Sequence, residues 1–188
     1  MPVSARKPRA DRQRNRELLL DTARAAFEAV GPDVSLDEIA RRAEVGIGTL
    51  YRHFPTRDAL VEAVYRREVE ALAAAVDSLL TAHRPADALR RWMLLLVDYV
   101  AAKKLIAAAW AGPADALYAV SGRLITDSID RLVSAARTAG DIRADIEAHD
   151  LKRLMGGFFA GAAEPGWTDS ARRLVDVVVD GLKGPNPR

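Results

Sequence analysis

The sequence contains no cysteine, which excludes disulfides, Cys-based zinc sites and thiol nucleophiles and suits a reducing compartment. Long apolar runs are missing as well. The longest, 92–97 and 105–111, fall far short of the ~20 residues that span a bilayer, so no membrane partner is expected. No apolar h-region follows the N-terminus; no signal peptide is expected, and a cytoplasmic location is. Histidine is scarce: His53, His83 and His149 stand in unrelated contexts. Neither G-x-S-x-G, H-E-x-x-H nor a phosphate loop is present, so the chain is expected to be no enzyme and to use no cofactor, metal or catalytic residue. Excess charge is absent too. Its 28 Lys+Arg and 26 Asp+Glu leave a net charge of +2, so any nucleic-acid preference must come from local clustering. No segment has the period of a strand and no repeat is found, which leaves an all-α chain.

Clustering is present at the N-terminus. Arg6, Lys7, Arg9, Arg12, Arg14 and Arg16 oppose a single acid, Asp11. A solvated tail and an arm that contacts phosphates both fit such a run. Further on, Ser35-Leu36-Asp37-Glu38 has the form of a capping box, with Ser35 accepting from the Glu38 N–H and Glu38 reaching back to Ser35. A short helix starting at Leu36 would bury Ile39, Ala40 and Ala43. Val45-Gly46 breaks it. A second short helix carries Leu50 and Phe54 inward, and Pro55 ends it because its ring disfavours a helical conformation at Phe54. Two short helices joined by a tight turn containing Gly form the helix-turn-helix pattern, whose second helix enters the major groove of DNA.

In this second helix Gly46 and Gly48 permit close backbone approach, while Thr49, Tyr51, Arg52 and His53 offer donors to phosphates or base edges. Arg52 is the helix's single arginine and so carries any bidentate reading of guanine. For Tyr51 the alternative is a place in the small core, and for His53 a satisfied surface position. Arg57 is expected to clamp a phosphate. Ser35 is a further candidate phosphate contact, although its capping role suffices to explain it.

The run Leu36-x-x-Ile39-Ala40-x-x-Ala43-x-Val45-Gly46-x-Gly48-Thr49-Leu50-Tyr51-x-His53-Phe54-Pro55-x-Arg57-x-Ala59-Leu60 resembles the DNA-binding domain of the tetracycline-repressor (TetR) family. The resemblance implies DNA contacts at Thr49, Tyr51 and His53. It departs at Gly46, where the family often has Ser, and at Arg57, where Lys is common. The segment 123–164 resembles the C-terminal domain of actinobacterial members. The resemblance further implies a homodimeric regulator of double-stranded DNA, typically a repressor released from a palindromic operator by a small effector. A constitutive or partner-controlled regulator without a ligand is the alternative.

The expected organisation is a disordered basic arm over 1–11, a three-helix helix-turn-helix domain over 12–56, a larger helical ligand-binding and dimerisation domain over 57–184, and a tail over 185–188. About nine helices are expected, including a separate short one over 105–111. The first helix would bury Leu19, Ala23, Ala26, Phe27 and Val30. Bulky side chains at helical spacing in the C-terminal half are core by default. With the family's apolar effector cavity in view, Trp92, Leu96, Tyr99 and Trp110 are the candidate ligand wall, for a neutral, partly aromatic effector of unknown identity. The last two helices are the candidate dimer interface, through Leu151, Met155, Phe158, Phe159, Val175, Val178 and Leu182. A cluster of glycines there points to close packing, since each costs roughly 1 kcal/mol inside a helix.

Overall fold

The computed structural model describes residues 7–111, 114–160 and 164–183, without the side chains of 7–9, 104–105, 114–120 and 158–160. Arg6, the tail over 185–188 and the side chains of Phe158 and Phe159 therefore lie outside the described residues. The described chain is all helical, in eight elements: α1 (Lys7–Val30), α2 (Leu36–Arg42), α3 (Ile47–His53), α4 (Arg57–Ala82), α5 (Pro85–Ala108), α6 (Ala114–Thr138), α7 (Ala148–Ala160) and α8 (Trp167–Leu182). The expected ninth helix does not form, because α5 runs on to Ala108. Lys103 and Lys104 are good helix formers and nothing in their chemistry ends a helix there.

The chain divides into two units: Met1–Arg67 with Lys103–Leu117, and Glu68–Ala102 with Tyr118–Arg188. In the first, α1 begins at Lys7 rather than near 12. Pro8 sits in its first turn, where a missing N–H costs nothing, and the Arg, Gln and Glu residues that follow favour helix. Leu19, Ala23, Ala26 and Phe27 are buried, each at 1% exposure or less. Burial of a Leu or Phe side chain contributes about 1.5–3 kcal/mol. Val30, expected beside them, is 55% exposed because it lies in the last turn, ahead of Gly31. Gly31 takes φ +107 and donates its N–H to the Phe27 carbonyl at 3.1 Å, closing the helix. Thr56 caps α4 by accepting from the Ala59 N–H at 3.0 Å. Leu60, Val61, Val64 and Tyr65 of α4 and Ile106 and Ala109 of the second segment are buried as well.

The second unit buries Leu72 and Val76 of α4, Leu89, Trp92, Met93 and Leu96 of α5, Ile129, Leu132 and Val133 of α6, Leu151 and Met155 of α7, and Ala171, Val175, Val179 and Leu182 of α8. Pro85 opens α5, where its fixed φ is already helical. Asp141 accepts from the Ala86 N–H at 3.3 Å and pairs with Arg84. The Arg84 hydrogen bond holds the Asp141 carboxyl below the usual carboxylate range. The Arg143 N–H donates to the Leu182 carbonyl at 2.8 Å, and Arg90 pairs with Asp176 at 2.6 Å. These ties join the 140–145 loop and α5 to α8.

Candidate nucleic-acid interface

The α2–turn–α3 segment is built from local rules. Ser35 takes an extended conformation and its hydroxyl oxygen accepts from the Glu38 N–H at 3.1 Å. The reciprocal half of the expected capping box does not form. Instead the Glu38 carboxylate takes hydrogen bonds from Arg41 at 2.8 Å and Arg42 at 2.7 Å, and these hold its pKa at about 2. Two guanidinium groups win over one backbone N–H for the same oxygens. Ser35 therefore acts first as a cap, with its own hydroxyl proton left for an outside acceptor.

The turn itself has a Schellman geometry. Val45 N–H donates to the Ala40 carbonyl at 3.0 Å and Glu44 N–H to the Arg41 carbonyl at 3.1 Å. It requires a left-handed residue, and Glu44 supplies it at φ +54. Gly46 then caps α3 in an extended conformation, and its carbonyl accepts from Thr49 N–H at 2.8 Å. A Cβ placed at Gly46 or Gly48 would meet nothing within 4 Å.

Leu50 and Phe54 anchor α3 at 0% and 2% exposure, and this fixes which side faces out. Tyr51 is 47% exposed, so it stands outside the small core. Arg52 is exposed and lies back along its helix, its Nε donating to the Gly48 carbonyl at 3.1 Å. Thr49 and His53 are half-buried, and with Arg52 they line a concavity of about 450 Å³ whose other wall is Asp11, Arg12 and Asn15 of α1. Burial pushes the His53 imidazole below its ordinary value, and the charges of Arg12, Arg16 and Arg52 push it further. Arg16 also lies over the Phe54 ring, 5.5 Å from its centre. The α1 wall of this groove is not expected from the sequence, although the i, i+3, i+4 spacing of Arg12, Asn15 and Arg16 puts them on one face of a helix.

Arg57 makes contacts within the chain that the sequence does not announce. Its guanidinium donates to the Val34 carbonyl at 2.6 Å and to the Pro32 carbonyl, and it lies 5.8 Å from the centre of the Phe27 ring. It ties the α1–α2 loop to the start of α4. Two of its N–H donors are thereby committed inward, and it clamps these segments together.

In the second unit, Trp92, Leu96 and Tyr99 are buried on α5, and the Trp92 indole N–H donates to the Leu72 carbonyl at 2.9 Å. Trp110 is half-buried and belongs to the segment of the first unit. Of the candidate interface residues, Leu151, Met155, Val175 and Leu182 are buried within the chain itself, while Val178 is half-buried. Among the described residues of the same helices, Leu154, Leu174 and Val177 are exposed apolar side chains, at 47%, 42% and 65%. Gly156, Gly157 and Gly181 are exposed alongside them. Among the described residues, no helix is long and apolar enough to cross a membrane, and no group of three or more His, Asp or Glu is placed to hold a metal ion.

Comparison with known proteins finds matches to both the N-terminal and the C-terminal parts of the chain. The family model of bacterial regulatory proteins, tetR family, matches residues 19–64, and that of the SbtR-like transcriptional regulator C-terminal domain matches residues 84–184. The crystal structure of the TetR transcriptional regulator SCO0520 from Streptomyces coelicolor is 41% identical, with a TM-score of 0.76 over 89% of this chain and 97% of that one. A TetR transcription regulatory protein from Mycobacterium vanbaalenii is 35% identical, with a TM-score of 0.77 over 94% and 99%. The HTH-type transcriptional regulator SAR0097 of Staphylococcus aureus is 32% identical over 83 residues, 43% of each chain. The HTH-type transcriptional repressor KstR of Mycolicibacterium smegmatis is 35% identical over 68 residues, 36% of this chain and 33% of the relative. The matched stretch thus spans less than half the length of these curated relatives.

Proposed function

Since the chain belongs to the tetR family of bacterial regulatory proteins, we propose that it is a DNA-binding transcriptional regulator, a repressor that holds a palindromic operator as a homodimer. The observation that carries this reading is the orientation of α3. Its apolar side is anchored by Leu50 and Phe54, and its outward side offers Tyr51 and Arg52 with Thr49 and His53 at the edge. Ser35, Gly46 and Gly48 flank that surface, the glycines leaving the backbone open to close approach. A two-fold dimer requires an apolar face that the monomer leaves uncovered. Leu154, Leu174, Val177 and Val178, beside exposed glycines, supply it on α7 and α8.

Release by a small apolar or aromatic effector completes the reading. A ligand that prefers the arrangement unable to hold the operator weakens DNA binding by the factor by which DNA weakens ligand binding. Trp92, Leu96 and Tyr99 of the second unit are the residues proposed to meet it. One observation favours a regulator without an effector. The Trp92 N–H already has a carbonyl partner within the chain, Leu72.

Selection of a duplex from a random-sequence library by the full-length protein tests the reading. The recovered sequence is expected to be near-palindromic, and Thr49→Ala should bind it about 1–3 kcal/mol more weakly with unchanged helicity. Recovery of no enriched sequence would overturn it. The same duplex, screened for release by aromatic compounds, separates the effector-controlled from the constitutive regulator.

A further inference from the structure

The groove between α1 and α3 is lined by Arg12 of α1 and by Arg52 and His53 of α3, and Arg16 of α1 adds its charge to the surroundings of His53. Asp11 is the acid that lines it, and its carboxylate is shared with Arg14 at 3.7 Å. Asn15 and Thr49 add neutral polar groups to the walls. Three guanidinium groups around a half-buried imidazole make a site where a fourth positive charge is unwelcome while the groove is empty. A phosphate in the same space reverses that balance. Its charge offsets the arginines, and the imidazolium gains an acceptor.

Resting on the DNA-binding reading above, we propose that this groove seats a backbone phosphate of the bound duplex and that His53 takes up a proton as the phosphate arrives. Binding is then linked to one proton per subunit, drawn from solvent. The protein holds DNA more tightly as pH falls through the interval between the free and bound titration midpoints of His53. Arg12, Asn15 and Thr49 position the phosphate. His53 sets the pH at which the seat closes. The direction is opposite for the free protein, where protonation of His53 works against the fold.

The test uses the full-length protein and the duplex recovered by selection. Affinity is measured from pH 8 to 5.5 at fixed salt for wild type and His53→Gln, and proton uptake by calorimetry in buffers of different ionisation enthalpy. One linked proton limits the gain per subunit to about tenfold per pH unit. Wild type is expected to bind about threefold to tenfold more tightly at pH 6 than at 7.5, with net proton uptake, and His53→Gln to lose both effects. The NMR titration of the His53 ring in wild type gives an independent readout: its midpoint should rise by about one pH unit on adding duplex. Equal pH dependence in the two proteins, or an unmoved midpoint, overturns the proposal and leaves the DNA-binding reading standing. Recovery of no duplex overturns both.

Discussion

Two short stretches of helix, α3 and the second half of α8, each keep one face inward and show another. Inward they look alike: Leu50 and Phe54 below α3, and Val175, Val179 and Leu182 below α8. Outward they differ. Beyond α3 stand Tyr51, Arg52 and the edge of His53; beyond α8 stand Leu174, Val177 and half-buried Val178. Water hydrates the first set at no cost. The second is an apolar row on a surface, and covering it releases about 25 cal/mol per Å². The contrast teaches that the inner faces hold the fold while the outer faces state which kind of partner each helix meets. One is suited to phosphates and base edges, the other to a second apolar surface.

Placing charge on the apolar side should have the largest effect. Val177→Glu changes a side chain that is 65% exposed in the single chain, so the fold should survive. In the dimer it would bury an unpaired carboxylate, at a cost of about 3–5 kcal/mol. Sedimentation is expected to show monomers, and operator affinity should fall with them. A dimer that persists in Val177→Glu would remove α8 from the interface. Next comes the polar side: Tyr51→Ala should weaken operator binding by about 1–3 kcal/mol while dimerisation is untouched. Undiminished affinity in a gel shift would mean that α3 does not dock as proposed.

Arg12→Gln tests the α1 wall. It should weaken binding to all sequences alike and reduce the slope of log affinity against log salt by about 1 for each phosphate that is no longer neutralised. An unchanged slope would leave Arg12 out of the interface. Smaller still is the effect of the turn that aims α3. Glu44 at φ +54 and Gly140 at φ +69 occupy the same position of two Schellman turns, but only glycine is unstrained there. Glu44→Gly is therefore expected to raise stability by about 0.5–1 kcal/mol in denaturant unfolding, and a decrease would show that the strain is relieved in some other way. The pH dependence of the free protein is a final check. The native imidazole of His53 titrates below its unfolded value, so the contribution of its neutral form is complete above about pH 6.5 and erodes as pH falls through that value. His53→Gln should lose less melting temperature than wild type between pH 7 and 5.5.

Much of the first unit was legible because local chemistry decides it. Ser35, Thr56, Gly31 and Gly46 each end or start a helix by a rule that needs no tertiary partner, and the pair Leu50 and Phe54 can only face one way. The bounds of α1 and α5 were less legible, since lysine and arginine runs read as tails or breaks although they are good helix formers. The face of α8 was illegible for a different reason. Val175 and Val179 lie next to Leu174 and Val178, so an apolar stripe wider than one face carries no mark of which edge the single chain covers. Leu151, Met155, Val175 and Leu182 thus went to the fold rather than to the partner. Arg57 shows a third limit: a cation beside a recognition helix reads as a phosphate clamp, and nothing in the sequence tells that it also holds the carbonyls of Pro32 and Val34.

Gly46 and Gly48 have open space where a side chain would begin, and neither has a positive φ. Nothing in the single chain therefore forbids alanine at either position, and at 48 alanine is the better helix former by roughly 1 kcal/mol. A library scored for protease resistance should pass such substitutions without comment, whereas one scored by a reporter gene should reject them. Where the two scores diverge along this chain, selection is reading the duplex and not the protein.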